Sequence, residues 1–191
     1  MSTVYTLNGK VLKNSANDKW LIKKEAPAPS FDEVTIGTQT WMAKDLAIDD
    51  GQSGITVTDW DYGSGNVPVY SYDYTAAARI ANSIPGWHLP TKDEWETLIN
   101  YCGGPSSAAL QLKATYGWSS SSGGNGYDTR GFTALPNLNN PWSHEIMGIY
   151  WTSTISSGSD NYYWIKILNQ IQVNTDAAYS WTNSVRLIKD T

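Results

Sequence analysis

The order of apolar and polar positions predicts strands at both ends of the chain and helices between them. Predicted strands occupy residues 33–36, 39–42, 150–154, 162–168, 171–174 and 184–188. Residues 74–83 have a helical spacing that places Ala77, Ile80 and Ala81 on one face. Because strands open and close this region, we predict an α+β fold whose two chain ends are paired in one sheet.

The best-specified predicted helix begins after Thr91. Thr91 and Glu94 have the spacing of a capping box, in which the threonine side chain accepts from the Glu94 amide and the glutamate reaches back. The apolar positions that follow form one helical stripe: Trp95, Leu98, Ile99 and Cys102. The Gly-Gly-Pro segment at 103–105 ends this helix, and a short helix is predicted at about 107–113.

Residues 1–30 differ from the rest of the chain and are predicted to form a β-hairpin appendage. Asn8-Gly9 separates two β-prone runs, which is a strong hairpin signal because both turn residues tolerate positive φ. The predicted parts are strands at 4–7, 10–13 and 20–22 and a proline linker at 26–30. A β-meander this short cannot fold alone. It must therefore dock on the main domain (31–191), on another copy of the chain or on a different protein. An attachment role and a simple extra strand pair both remain open.

Two long stretches show no clear periodicity. Residues 50–66 are polar and glycine-rich and are predicted to be a loop. Residues 116–147 are rich in Gly, Ser and Asn, with Trp118, Phe132 and Trp142 as local anchors. An irregular stretch of this length inside a compact domain is usually functional or is held by packing around its aromatic residues.

Composition narrows the classes of function. The chain has 10 Trp and 12 Tyr but only 2 Phe, and Trp and Tyr suit half-wet binding surfaces as well as cores. The net charge is −5 and no run of basic residues exceeds Lys23-Lys24, so a nucleic-acid partner is not expected. With Cys102 as the single cysteine there can be no intrachain disulfide, and no apolar stretch suggests membrane insertion.

The sequence contains no recognised catalytic motif, and we expect no catalytic residue. There is no His-Glu-x-x-His, Cys-x-x-Cys, Gly-x-Ser-x-Gly or phosphate-loop pattern. His88 lies in a Trp-His-Leu-Pro turn, where a structural hydrogen bond is expected. His144 precedes Glu145, but no nucleophile pairs with it. Cys102 is expected to be a buried, inert thiol.

One acidic segment invites a metal interpretation. Asp59-Trp60-Asp61 resembles the opening of a calcium loop, with carboxylates at the first and third positions. Gly63 occupies the fifth position, however, and no bidentate glutamate closes the loop. We therefore expect no cofactor, with calcium at Asp59 and Asp61 as the alternative.

Four blocks of the sequence occur in one order and cover most of the main domain. They are Val34 to Ala43, Gly86 to Trp95, Gly126 to Pro136, and Tyr150 to Thr154 followed by Ser184 to Arg186. Together they resemble the Fibrobacter succinogenes major paralogous domain family and, more distantly, the fold that sulfatase-modifying factors share with C-type lectins. The resemblance implies a C-type-lectin-like domain of poorly defined function, typically at a bacterial surface.

The chain departs from this family pattern in three ways. It opens without the apolar leader that relatives usually carry. Ile84 and Leu187 stand where relatives often have cysteines. The sugar-binding triplets of calcium-dependent lectins, Glu-Pro-Asn and Trp-Asn-Asp, are absent, so calcium-dependent sugar binding is not expected. The single cysteine also excludes the catalytic cysteine pair of the formylglycine-generating relatives.

The C-terminal strands are expected to carry an aromatic and polar face that binds a ligand. Strand alternation places Tyr163, Ile165 and Ile167 toward the core and the intervening residues on the opposite face. The Tyr, Trp, Ser and Asn content of this region is typical of a paratope, whereas a solvated sheet face with aromatic cross-strand pairs is the alternative. The expected ligand-binding residues are Asp160, Asn161, Tyr162, Trp164, Gln170, Gln172, Asn174, Asp176, Tyr179, Trp181 and Asn183.

These features favour a non-enzymatic adhesion protein on the surface of a phage virion. Residues 1–30 would attach the chain to other virion proteins, and the C-terminal face would bind a glycan or protein on the host surface. A surface-type domain without a leader or a disulfide fits a protein that folds in the host cytosol and leaves by lysis. The alternatives are a secreted bacterial cell-surface or periplasmic binding domain and, third, an enzyme of the sulfatase-modifying kind.

Overall fold

The computed structural model describes residues 6–7, 10–11, 29–61, 66–137, 146–156, 161–177 and 181–191. These residues form an α+β fold with mostly antiparallel sheets. The strands are β1 (Thr6–Leu7), β2 (Lys10–Val11), β3 (Glu33–Ile36), β4 (Gln39–Met42), β5 (Ile55–Asp61), β6 (Asn66–Tyr72), β7 (Trp87–His88), β8 (Gly148–Ile155), β9 (Tyr162–Ile167), β10 (Ile171–Ala177) and β11 (Ile188–Lys189). The α-helices are α1 (Tyr74–Ser83), α2 (Lys92–Tyr101) and α3 (Pro105–Leu112), with a short 3-10 helix at Ser120–Ser122.

One sheet joins the two ends of the main domain, as the sequence predicts. Its strand order is β3-β4-β11-β7, and Ile188 near the C-terminus pairs with Trp41 on one side and with His88 on the other. The C-terminal strand is shorter than the predicted 184–188, because Ser184 instead forms an isolated parallel bridge with Tyr150. The last strand of the main domain therefore pairs with a strand near the start of that domain.

The second sheet carries the candidate ligand-binding region and has the order β10-β9-β8. Its strands are antiparallel, and Ile165 pairs with Tyr150 on β8 and with Val173 on β10. Ile165 and Ile167 have no exposed surface and pack in one core cluster with residues of α2 and α3. The two helices therefore cover one side of this sheet, and the other side remains for the rest of the molecule and for solvent.

Helix α2 forms as the capping pattern predicts. The Thr91 side chain accepts from the Glu94 amide at 3.2 Å, and the Glu94 carboxylate accepts from the Thr91 amide at 2.7 Å. Its apolar stripe is buried in the core: Trp95, Leu98, Ile99 and Cys102. The predicted helix at 74–83 is also confirmed, and Ala77, Ile80 and Ala81 are buried.

The predicted loop at 50–66 is wrong over its second half. Residues 55–61 form β5, which pairs residue by residue with β6 from Ile55↔Tyr72 to Asp61↔Asn66. The β-branched run Ile55-Thr56-Val57-Thr58 favours a strand, but its Thr and Asp content resembles that of a loop. Pairing with β6 makes residues 55–61 a strand rather than a loop.

The N-terminal hairpin is confirmed over the residues described. Thr6 pairs with Val11 and Leu7 with Lys10, whereas Asn8 and Gly9 lie outside the described residues. The predicted third strand at 20–22 and the first part of the linker at 26–30 lie outside the described residues. Within the described part of 116–147, regular structure is limited to the 3-10 turn, as the lack of periodicity predicts. No helix in the part of the chain described here is long and apolar enough to cross a membrane.

Candidate ligand-binding face

Strands β9 and β10 present a partly exposed face on the side of the sheet away from α2 and α3. Trp164 pairs with Asn174 and Lys166 with Gln172, so the four side chains form two adjacent cross-strand rows. All four are half-buried. With Trp181 they form what we call the open face: Trp164, Lys166, Gln172, Asn174 and Trp181.

Two tryptophans form the centre of the open face. The rings of Trp164 and Trp181 meet edge to face, with centroids 5.7 Å apart and an interplanar angle of 75°. Trp181 is 44% exposed, which is unusual for so large an apolar side chain. Trp164 is held in place because its indole N–H donates to the Thr175 carbonyl at 2.9 Å. The Lys166 ammonium lies 5.9 Å from the Trp164 ring centroid.

Two residues predicted for this face are instead buried. Tyr162 is 6% exposed and stacks on Tyr74, with ring centroids 3.4 Å apart. Asn183 is 2% exposed, and its backbone exchanges hydrogen bonds with Tyr72 at 2.9 and 3.0 Å. These placements correct the expectation that both side chains are exposed to a ligand.

Packing against the rest of the domain explains the burial of Tyr162. The register shifts beside the start of β9 add residues to β8 and β10 but not to β9, so alternation along β9 itself is unbroken. Tyr162 and Trp164 accordingly contact the same core cluster. Tyr162 is nevertheless buried, because Tyr74 at the start of α1 stacks on its ring and Trp151 on β8 packs in the same cluster.

The remaining predicted residues lie around the open face or outside the described residues. Asn161 is half-buried beside the start of β9, and Gln170 is exposed at the turn between β9 and β10. Asp176 lies on β10, but its side chain is not among those described. Asp160 and Tyr179 lie outside the described residues.

His88 has a structural role, as expected from its turn. Its Nδ1 lies 2.7 Å from Asp190 and its Nε2 2.9 Å from Glu94, so both ring nitrogens have partners. Burial alone lowers the pKa of His88, but the hydrogen bonds to Asp190 and Glu94 outweigh it and raise the pKa above its ordinary value. The imidazole thereby joins the last residues of the chain to the start of α2. His144 lies outside the described residues.

Cys102 and the acidic pair of β5 show no reactive arrangement. Cys102 is 2% exposed, and burial raises the pKa of its thiol. Asp59 and Asp61 are exposed on one side of β5 rather than curled into a loop. Among the described residues, no three His, Cys, Asp or Glu side chains are grouped so as to hold a metal ion.

The sequence patterns missed a buried ion pair that positions the segment after β4. Arg186 has no exposed surface, and its guanidinium donates to the Asp45 carboxylate and to the backbone carbonyls of Met42 and Phe132. Its guanidinium carbon also lies 4.2 Å from the centroid of the Phe132 ring. Burial raises the pKa of Asp45, while Arg186 acts in the opposite direction. In the sequence, the position of Arg186 among the apolar residues Val185, Leu187 and Ile188 is the one feature that indicates a buried acidic partner.

Comparison with known proteins identifies the family. No curated protein and no solved structure matches the chain. The family model described as the Fibrobacter succinogenes major domain matches residues 34–189, which includes every described strand from β4 to β11 and excludes the N-terminal hairpin. The chain therefore belongs to the Fibrobacter succinogenes major domain family.

Proposed function

We propose that the chain is a non-enzymatic binding domain with a C-type-lectin-like fold and that its open face binds a glycan or protein on the surface of a host cell. The observation that carries this proposal is the exposed Trp164–Trp181 pair, fixed by a backbone hydrogen bond and surrounded by polar side chains. Rigid aromatic anchors within a polar rim are typical of binding surfaces.

Several features of the fold support the C-type-lectin-like assignment. The two ends of the main domain pair in one sheet, α2 packs behind the second sheet, and the described residues between α3 and β8 are mostly irregular. In folds of this kind a rigid core supports irregular segments and a variable surface. The open face lies on such a core, because the reverse side of its strands packs against α2 and α3.

The chemistry of the open face favours recognition over catalysis. Its polar groups are an ammonium and two carboxamides, which donate and accept hydrogen bonds without a nucleophile or general base among them. His88 is held between two carboxylates, and Cys102 is buried. An enzyme of the sulfatase-modifying kind is the competing proposal. It requires a turnover that depends on His88 or His144, so activity lost on replacing either histidine would favour it.

We further propose that the N-terminal hairpin attaches the domain to a larger particle, namely a phage virion. The hairpin lies outside the residues that the family model matches, which separates it from the conserved unit. A two-stranded hairpin is marginal alone and gains stability by docking. The alternative carrier is a bacterial cell surface or periplasm. Genes for capsid or tail proteins beside this one would support the virion, and a secretion signal encoded directly upstream would contradict it.

Binding by the open face can be tested on cells and on isolated glycans. The intact chain is expected to bind either a subset of an array of bacterial surface glycans or the surface of a bacterial host. Retention of binding after protease treatment of the cells would indicate a glycan, and its loss would indicate a protein. Trp164→Ala and Trp181→Ala are each expected to lower the affinity at least about tenfold, since central aromatic anchors contribute about 2 kcal/mol or more. Unchanged binding by both variants would remove the open face as the site.

A further inference from the structure

The structure also contains a cleft that shares no residue with the open face. The cleft has a volume of about 330 Å³ and lies between β6, the segment 44–47 and the segment 133–135. This volume is at the lower end of the roughly 300–1,000 Å³ of small-molecule sites. Its walls are mostly apolar and aromatic, with a few polar groups. The residues that matter for recognition are Lys44, Asp45, Val67, Tyr70, Tyr116 and Leu135.

The floor of the cleft is held rigidly by the core. The Leu46 amide donates to the Val185 carbonyl at 2.8 Å, and the Tyr72 hydroxyl donates to the Leu46 carbonyl at 3.0 Å. Arg186 fixes the Asp45 carboxylate from behind. A site whose polar group is fixed before binding loses little conformational entropy when a ligand arrives.

The Asp45 carboxylate retains the capacity to accept a further hydrogen bond. Its side chain is 18% exposed although Arg186 behind it is fully buried. Arg186 donates twice to Oδ1, and the Tyr150 hydroxyl makes a long bond of 3.4 Å to Oδ2. A carboxylate offers about four lone-pair sites, so one site remains on Oδ2. Because the Arg186 charge already balances Asp45, this site suits a neutral O–H donor better than a cation.

Tyr70 and Tyr116 supply the aromatic part of the cleft. Tyr116 is 40% exposed, and Tyr70 is half-buried and stacks on Tyr72. A hydroxyl acceptor beside aromatic and aliphatic walls matches a pyranose, which has C–H faces and hydroxyl edges. From these contacts we infer that the cleft is a second binding site, which takes a monosaccharide or one terminal sugar residue without calcium. This inference goes beyond the proposed function, since it concerns different residues.

Free monosaccharides provide the test on the full chain. Glucose, galactose, mannose and N-acetylglucosamine are titrated at millimolar concentrations into isotopically labelled protein and followed by backbone amide NMR. At least one sugar is expected to shift the amides of Lys44 to Ala47, Thr133 and Leu135. No shift at these positions with any of the four sugars would overturn the inference, as would stronger binding of tetramethylammonium than of every sugar.

Three matched tyrosine and tryptophan variants then separate the cleft from other surfaces. Tyr116→Ala is expected to weaken sugar binding about tenfold, the loss for one aromatic contact, while Tyr127→Ala, at a tyrosine that is 68% exposed outside the cleft, leaves it unchanged. Trp181→Ala is also expected to leave sugar binding in the cleft unchanged. Loss of the open-face proposal and loss of the cleft proposal can therefore be told apart. Equal sugar affinity in Tyr116→Ala and the parent chain would contradict the assignment. If Tyr116→Ala does not fold, the amide shifts of the parent chain decide whether the cleft binds a sugar.

Discussion

Arg186 is the single residue on which the geometry around β4 depends most. Its guanidinium joins the segment that holds Met42 and Asp45 to Phe132, and both lie far from Arg186 in the sequence. Removing one member of a buried ion pair leaves the other charge without compensation, which costs far more than losing an exposed pair. The buried arginine thus connects the C-terminal segment to the floor of the cleft.

Arg186→Met is expected to lower the free energy of unfolding by about 3–5 kcal/mol, because it leaves the Asp45 carboxylate buried without its partner. Urea denaturation followed by tryptophan fluorescence measures the change. Arg79→Met is the matched control, since Arg79 pairs with Asp50 at 2.8 Å on the surface. A loss for Arg186→Met no larger than that for the control would show that the buried pair does not stabilise the fold as described.

His88 makes stability depend on pH in a defined direction. Its pKa is raised in the folded state, so the stabilisation is fully present below the unfolded pKa of about 6.5 and is lost as pH rises through the folded pKa. The difference in Tm between the parent chain and His88→Gln is therefore expected to shrink as the pH rises above the unfolded pKa of about 6.5. A difference that is constant or grows with pH would contradict the raised pKa.

Direct titration of the ring completes this test. The His88 resonance, followed in a His144→Gln background to remove the chain's other histidine, is expected to titrate with a pKa above the ordinary histidine value. Replacing Asp190 with Asn should lower that pKa, because Asp190 accepts from Nδ1 at 2.7 Å. Since Asp190 is exposed, this change should leave the fold intact.

At the scale of elements, α2 is the helix whose start is best specified. Thr91→Ala removes both hydrogen bonds of the Thr91 hydroxyl, including the one that caps the helix, and is expected to cost about 0.5–2 kcal/mol of stability. Thr97→Ala on the same helix is the control, because Thr97 is exposed and bonds only a carbonyl within the helix. Thermal unfolding of the two variants compares them. Equal Tm values would mean that the cap contributes nothing here.

The elements also show which parts of the fold could be predicted from sequence patterns. Local signals predicted α1, α2 and the strands β3 and β4, because caps and apolar periodicity act within a few residues. The order of the predicted elements indicated the pairing of the chain ends. They failed for β5, whose Thr and Asp residues read as a loop until β6 pairs with them. They failed for Tyr162, because the ring that covers it belongs to Tyr74 on α1, far from β9 in the sequence. The Asp45 cleft joins segments separated by long stretches of chain, so no local pattern indicates it.

At the scale of the whole molecule, three regions of the chain are assigned separate roles. The open face lies on β9, β10 and the segment that holds Trp181, the cleft lies between β6 and the segment after β4, and the hairpin precedes the family-matched unit. Both proposed binding regions are supported by buried groups on their inner side. A ligand at either region is therefore expected to bind with little change in the backbone.

The most direct test compares two exposed aromatic residues, one on the open face and one outside it. Trp181 belongs to the open face, whereas Tyr127 lies beside α3, where its amide donates to the Leu110 carbonyl at 2.7 Å. The Kd of the parent chain, Trp181→Ala and Tyr127→Ala is measured by surface plasmon resonance against the glycan or cell-surface extract that the parent chain binds. We predict that Kd increases at least about tenfold for Trp181→Ala and does not change for Tyr127→Ala. An unchanged Kd for Trp181→Ala, or an equal loss in both variants, would contradict it.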